Sequence, residues 1–592
     1  MSQPHDHPRP QLVRAGFQRL DGQWDFSYDD DDTGVEARWF QPGGGTFDRT
    51  ITVPFPPESP MSGIGDPSGH PYLWYRRTFT ASAGDGQRVL LHFGAVDYDA
   101  TVWVNGQLVA RHTGGHVPFH ADITGALDGG GEQIVVVRAE DQPDDVSQPR
   151  GKQVWGGPPR SILYQRTSGI WQSVWIETVS ANHVAQLRWV ADIEAGALKL
   201  RATIAGPKRD GLRLRVALSF EGKGLTDDTF SVADGLVERA ITIPAPFSAH
   251  HRNALLWSPD HPNLIDAELT LLDGESAIDE VTSYAGLRSV GFRNGKFLLN
   301  DRPYYLRMAL EQGYWPDSHL TAPSDDALRE EVEIAKKLGF NALRVHQKVE
   351  DPRFLYWCDR LGLMTWGEMP SAYAFNETAV TRFTAEWTEA IQRDVSHPCV
   401  VAWVPTNESW GVPDLEVDAR QRAYTRMLAD LARTLDGTRP VISNDGWEHT
   451  ASDILAIHDY ADQAEVLRKR WKTPEATADT IAHITPGNRR ILVESSLAPG
   501  APVMLTEVGG IGYPLVEGER WHFWSAGSTE ELEAKYAEII GAILESETVV
   551  GFCYTQLTDT MQEKNGLVDE HRQPKLPFEV FHRITTGPSN SL

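Results

Sequence analysis

Apolar and polar positions alternate in short runs through the first part of the chain, at Val89–Phe93, Ala100–Val104, Gln133–Ala139 and Gln172–Val179, and Gly, Pro or Asp punctuates the runs. A period of two is that of a half-buried strand, so residues 1–180 read as an all-β unit. Asn105-Gly106 follows one run directly and tolerates the positive φ angles of a tight hairpin turn. Further alternating runs at Leu198–Ile204, Leu212–Phe220 and Asp266–Leu272 occupy residues 181–290, a length that suits an immunoglobulin-like β-sandwich. Trp257-Ser258-Pro259 and His261-Pro262-Asn263 mark a turn within it.

From about residue 291 the pattern changes. Eight short apolar runs read as strands: Tyr304–Met308, Ala342–His346, Leu363–Glu368, Val400–Asn407, Val441–Asn444, Ile454–His458, Val503–Glu507 and Val549–Gln556. Helical periodicity separates most of them. Ser324–Leu338 opens on Ser-Asp-Asp, carries Leu328, Val332 and Ala335 on one face and stops at Gly339. Thr378–Val395, Asp418–Leu435 and Thr529–Leu544 behave likewise. Strands alternating with helices over residues 291–592 predict a (β/α)8 barrel, whose active sites lie at the C-terminal ends of its strands.

Two glutamates occupy such ends. Glu408, in Trp-Val-Pro-Thr-Asn-Glu-Ser-Trp-Gly, follows the fourth candidate strand; Glu507, in Pro-Val-Met-Leu-Thr-Glu-Val-Gly-Gly, closes the seventh. Each ends an apolar run and precedes small or turn-forming residues. Two carboxylates facing one pocket are the minimum equipment for retaining glycoside hydrolysis, one as acid/base and one as nucleophile.

Composition narrows the alternatives. A net charge of −27 disfavours nucleic acid and anionic membrane surfaces as partners. The N-terminus has no secretory apolar run, no stretch approaches the roughly 20 apolar residues of a membrane span, and Cys358, Cys399 and Cys553 are too few and too scattered for a disulfide framework. A cytoplasmic protein is expected. His346, His458 and His522 form no spaced metal motif, so neither a metal nor another cofactor is expected.

Several stretches together resemble glycoside hydrolase family 2, the family of β-galactosidase, β-glucuronidase and β-mannosidase. Trp74-Tyr75-Arg76-Arg77-Thr78-Phe79, Ala100–Gly106, Gly114-Gly115-His116 and Thr167-Ser168-Gly169-Ile170-Trp171-Gln172 are similar to its N-terminal sugar-binding jelly roll. Residues 256–272 are similar to its immunoglobulin-like middle domain. Asn341–His346, Cys358–Leu363 and the two glutamate motifs are similar to its barrel.

The resemblance implies that Glu408 is the acid/base and Glu507 the nucleophile. The first must hold a proton, so its pKa is expected to be raised; the second must stay ionised. Their carboxyls are expected about 5–5.5 Å apart. The resemblance also implies that Asn407 bonds the sugar 2-hydroxyl and that Arg344 lies beside the nucleophile. It leaves Tyr460 and His458 to compete for a hydrogen bond to Glu507. Glu368 ends the third candidate strand and can bind sugar hydroxyls or form a salt bridge; His346 ends the second and can bind or pack. Trp315, Trp410, Trp524 and Tyr554 lie near strand ends or loops and are candidate stacking surfaces for sugar, against a core role.

One departure bears on specificity. The family's β-glucuronidases place Asn-x-Lys just before Gly-Ile near the last strand, where the lysine pairs with the uronate. Here the stretch is Glu563-Lys564-Asn565-Gly566-Leu567, and a carboxylate at Glu563 would repel a uronic acid unless Lys564 turned inward. A β-galactosidase-like retaining exo-glycosidase is therefore the first expectation, with β-glucuronides or galacturonides, α-L-arabinosides and β-mannosides as alternatives. Transglycosylation shares the same intermediate, and a non-catalytic carbohydrate-binding protein on a retired barrel is the reading from another class. The expected partner is an oligosaccharide or glycoconjugate, and similar enzymes assemble through their β domains, which allows for a homo-oligomer.

Overall fold

The computed structural model describes residues 6–129, 131–243, 254–494, 497–514 and 524–587. His522 lies outside them. Up to Ser180 two antiparallel sheets face each other. Four strands run in the order Phe17–Arg19, Val174–Ser180, Gln87–Phe93, Phe119–Asp122. Six run in the order Arg49–Val53, Gly22–Tyr28, Tyr72–Ala81, Gly131–Glu140, Asp99–Val104, Gln107–Thr113. The last two form the hairpin, with Asn105 at φ 50° and Gly106 at φ 79° in its turn. Inward positions such as Phe26, Tyr75, Leu91 and Val137 make the core between the sheets.

A second sandwich runs from His183 to Ala285, pairing a three-stranded sheet with a four-stranded one. Leu212–Phe220 shows why it forms: Leu212, Leu214, Val216 and Leu218 are buried while the residues between them are not. Trp257 leaves this sandwich to donate its indole N–H to Asp359 O in the barrel at 2.8 Å.

The barrel is a closed run of parallel strands with one irregular member. Seven strands pair in the order Val400–Val404, Met364–Glu368, Ala342–Val345, Leu306–Glu311, Val549–Thr555, Val503–Gly509, Leu455–His458. The fifth expected strand, at Val441–Asn444, is not regular. Residues 441–446 close the ring through three isolated parallel bridges, Trp403 to Val441, Asn407 to Asp445 and Gly446 to Ile457. Side chains take over its backbone groups: Val441 N donates to Asp453 Oδ2 at 2.8 Å and Ser443 N to Ser452 Oγ at 2.9 Å. Short polar side chains compete with a ladder in this way. The fourth strand likewise stops at Val404 rather than running to Asn407.

The helices between strands start on side-chain caps that fix their entry. Ser324, Asn376 and Ser528 accept from the backbone N–H three residues on, and Asp418 from the N–H two residues on. Among the described residues no helix is long and apolar enough to cross a membrane. All three cysteines are buried and unpaired.

Candidate active site

Arg344 sits at the centre of the barrel mouth, fully buried, and its guanidinium organises the carboxylates around it. Nη1 donates to Glu507 Oε1 at 2.9 Å, Nε to Glu368 Oε2 at 2.7 Å and Nη2 to Asn407 Oδ1 at 2.7 Å. Asp445 Oδ2 lies 3.5 Å from Nε. Burial disfavours the guanidinium, yet Asp445, Glu368 and Glu507 together raise its pKa well above the usual value. A planar fork with five donors is the side chain suited to such a centre.

Glu507 lies two residues before the end of its strand, which runs on to Gly509 rather than stopping at the glutamate, and Gly509 and Gly510 both have positive φ. Its Oε2 accepts from the Tyr460 hydroxyl at 2.5 Å, and that hydroxyl also lies 3.0 Å from Thr555 Oγ1. Tyr460 thus makes the close contact, while His458 Nε2 stands 3.4 Å from Oε1.

Glu408 is presented differently. Glu408 and Ser409 both adopt positive φ, at 50° and 58°, in a turn closed by Trp410 N donating to Asn407 O at 2.9 Å. Two successive non-glycine residues there cost about 1–2 kcal/mol each. The barrel holds them in place: Glu408 N donates to Asp445 O at 2.9 Å and Ser409 N to Asn444 Oδ1 at 3.0 Å. The turn aims the Glu408 carboxylate at His458, whose Nδ1 lies 2.8 Å from Oε1 while its Nε2 lies 2.9 Å from Asp445 Oδ1. Ligand atoms of Glu408, His458 and Glu507 all fall within 4.8 Å of one another.

The electrostatics correct one expectation. Burial pushes the Glu408 carboxyl up, but the His458 hydrogen bond and charge, joined by the charges of Lys152 and Arg344, more than offset it, and the pKa is lowered rather than raised. His458 moves the other way. Burial disfavours its cation, but Glu507, Asp445 and Glu408 carry its pKa up to about 10. The resting pair is a carboxylate against an imidazolium. Glu368, pushed up by burial and by Asp445 against the pull of Arg344, reaches about 7. His346 is driven well below its usual value by burial and Arg344, so its imidazole is neutral. Its Nδ1 lies 3.0 Å from Glu368 Oε1 without hydrogen-bond geometry, and both atoms keep unused bonding capacity.

Gly446 is required here. It has φ 101°, and a Cβ on it would lie 2.7 Å from His458 Nδ1.

The expected stacking residues separate. Trp410, half-buried and with Nε1 unpartnered, follows Glu408 by two residues, and its ring lies 5.3 Å from that of Tyr373. Trp315 is buried beneath the Arg572 and Lys348 side chains, 4.9 and 5.2 Å from its ring. Trp524 is buried with its indole N–H on Ala461 O at 2.8 Å. Tyr554 is fully buried against Tyr536, and its hydroxyl accepts from Ile511 N at 3.2 Å. The last three are core because each apolar face is already covered. Asp445, Thr506 and Trp447 join the site without having been expected: Thr506 Oγ1 donates to Asp445, and the Trp447 ring packs 5.6 Å from the His458 ring with Nε1 unpartnered. Asn444-Asp445-Gly446 repeats the acid-then-small-residue signal of the two glutamates, which could have marked Asp445.

The sequence matches three domains of one family: the sugar-binding domain of glycosyl hydrolases family 2 over residues 17–177, the family's central domain over 182–288, and its TIM barrel domain over 290–482. The chain belongs to glycoside hydrolase family 2. A β-galactosidase of Thermoanaerobacter pseudethanolicus is 29% identical over 377 residues, 62% of this chain and 48% of that one. A β-glucuronidase of Rattus norvegicus is 26% identical over 480 residues, 74% of this chain and 71% of that one. The chain thus spans about half the length of the Thermoanaerobacter relative, and 44% of one from Formosa agariphila. Among solved structures, a β-glucuronidase of Ruminococcus gnavus superposes with TM-score 0.76 at 20% identity, covering 97% of this chain and 99% of that one. One of Bifidobacterium dentium, complexed with coumarin-3-O-glucuronide, gives 0.77 at 22% identity, covering 97% and 98%. These likenesses establish the shared fold.

Proposed function

We propose that the protein is a retaining exo-glycosidase that removes terminal β-glucuronides, with Glu507 as nucleophile and Glu408 as acid/base. The carrying observation is the spacing: carboxylate oxygens of Glu408 and Glu507 lie within 4.8 Å of each other. Retaining enzymes hold their carboxyls about 5–5.5 Å apart, whereas inverting enzymes leave about 6.5–9.5 Å for a water.

In this reading Glu507 attacks the anomeric carbon, oriented by the Arg344 guanidinium and the Tyr460 hydroxyl. The departing oxygen takes a proton from Glu408. That proton rests on His458 in the free site and passes from Nδ1 to Oε1 across the 2.8 Å contact. Glu408 then accepts a proton from the water that hydrolyses the glycosyl-enzyme. Asn407, oriented by Arg344, is placed to bond the 2-hydroxyl, whose interaction strengthens as charge develops.

From sequence alone a β-galactosidase-like activity stands first. The relatives favour the glucuronide, since β-glucuronidases recur among both the sequence relatives and the structures. Nitrophenol release from β-glucuronide, β-galacturonide, β-galactoside, β-mannoside, β-xyloside and α-L-arabinosides, with Glu507→Gln as control, tests this. Dominant, control-sensitive release from the glucuronide is expected. Dominant release from the galactoside would overturn the substrate assignment and keep the mechanism.

A further inference from the structure

We infer that Lys152, carried by a jelly-roll loop laid across the barrel mouth, is the cation that pairs with the carboxylate of the uronic acid. The inference rests on the glucuronide reading and deepens it.

The loop is fastened to the barrel. Arg150 N and Gly151 N both donate to Ser371 O at 3.0 Å, and the Tyr373 hydroxyl donates to Gly151 O at 2.6 Å. Gly151 has φ 58°, and a Cβ there would lie 2.4 Å from Gln347 O. The backbone beside Lys152 therefore presses on the segments that follow the strands bearing Arg344 and Glu368. On its far side Lys152 O accepts from Tyr164 N at 2.8 Å, and Nζ sits 5.6 Å from the centre of the Tyr164 ring. The Tyr164 hydroxyl bonds Glu563, the residue that replaces the asparagine of the family's uronate motif.

Lys152 as a residue is 6% exposed, and among the described residues its ammonium has no hydrogen-bond acceptor and no carboxylate at ion-pair distance. An ammonium on a stem this deeply buried has given up much of its hydration, and an anion would restore the lost interaction. The neighbouring cations are already engaged. Lys564 turns outward to Glu570 at 3.1 Å, so it does not supply the charge missing from the motif. Lys575 bonds Asp559 at 2.7 Å, Lys348 bonds Glu350 at 2.6 Å, and Arg572 bonds Glu331 at 2.9 Å.

The charge of Lys152 reaches the pocket from inside. Burial pushes the Glu408 and Glu563 carboxyls up, and Lys152 opposes it at both. After burial and Arg344, it also lowers the His346 imidazole. These three groups stand on different elements around the mouth. Glu563 keeps a net upward shift, and a second carboxylate would push it further toward its neutral form, which removes the repulsion expected from sequence.

The test compares kcat/KM for an aryl β-glucuronide and an aryl β-xyloside, which lacks the C5 substituent, in wild type, Lys152→Met and Lys152→Arg. The glucuronide-to-xyloside ratio is expected to fall about 30-fold or more in Lys152→Met, chiefly through KM, the equivalent of about 2 kcal/mol. Lys152→Arg should recover part of it. Lys152→Gln gives the same readout should the methionine variant fail to fold. A ratio that moves by less than about threefold, or a parallel loss on both substrates, would overturn the assignment to Lys152. Wild-type enzyme that cleaves neutral glycosides and neither uronide would overturn the substrate reading itself, before any variant is compared.

Discussion

Replacing His458 with Asn removes the cation that holds the acid/base proton, and the pH profile should report it. In the native site His458 is raised from 6.5 to about 10 by Glu507, Asp445 and Glu408, despite burial. At about 1.4 kcal/mol per unit, that corresponds to an interaction of the order of 5 kcal/mol favouring the imidazolium. The Glu408–His458 pair therefore carries one proton from acidic pH up to about 10. Carboxylate with imidazolium and carboxylic acid with imidazole have the same proton count, so the pair titrates as a unit. The alkaline limb of kcat/KM should follow loss of that proton, above pH 9. In His458→Asn the proton has only Glu408 to reside on, where burial raises the carboxyl and Lys152 and Arg344 lower it. The alkaline limb should then move down below pH 8, and the rate at pH 8 should fall about tenfold for each unit by which it does so. The assay is kcat/KM against pH with a phenyl glycoside, whose poor leaving group demands protonation. A native alkaline limb near pH 5, or an unchanged limb in His458→Asn, would refute the shared proton.

Two other perturbations probe the neighbouring contacts. Tyr460→Phe deletes the 2.5 Å hydrogen bond to Glu507 and should lower kcat by about 10–10³-fold while changing the thermal midpoint little; unchanged kcat would remove Tyr460 from the nucleophile's support. Gly446→Ala places a Cβ 2.7 Å from His458 Nδ1 at φ 101°, and should cost about 1–3 kcal/mol in denaturant unfolding and shift the alkaline limb as His458→Asn does; a native-like profile would contradict the close packing.

Much of this architecture is legible in local sequence. Glu408 and Glu507 declare themselves because an apolar run must end before a turn, and the caps at Ser324, Asn376 and Ser528 mark helix starts for the same local reason. The fifth barrel segment misleads, because Val441 and Ile442 look like a strand while the polar side chains of Asp453 and Ser452 claim its backbone N–H groups. The direction of the Glu408 shift is invisible locally, since its cause, His458, is 50 residues away and meets it only when the barrel closes. Lys152 is hidden more deeply still. It belongs to another domain, and only the seating of Gly151 on Gln347 and Ser371 brings it to the mouth. Trp315 and Tyr554 show the converse: strand-end aromatics resemble sugar platforms until their faces are found covered.

The central claim is that Glu507 forms a covalent bond to the sugar. Incubation with a 2-deoxy-2-fluoro-β-glucuronyl fluoride, followed by intact-mass measurement and peptide mapping, tests it directly. The account predicts one glycosyl adduct per chain, on the peptide carrying Glu507, and none in Glu507→Gln. An adduct on a different residue, or no adduct from an enzyme that turns over the matching aryl glucuronide, would contradict it.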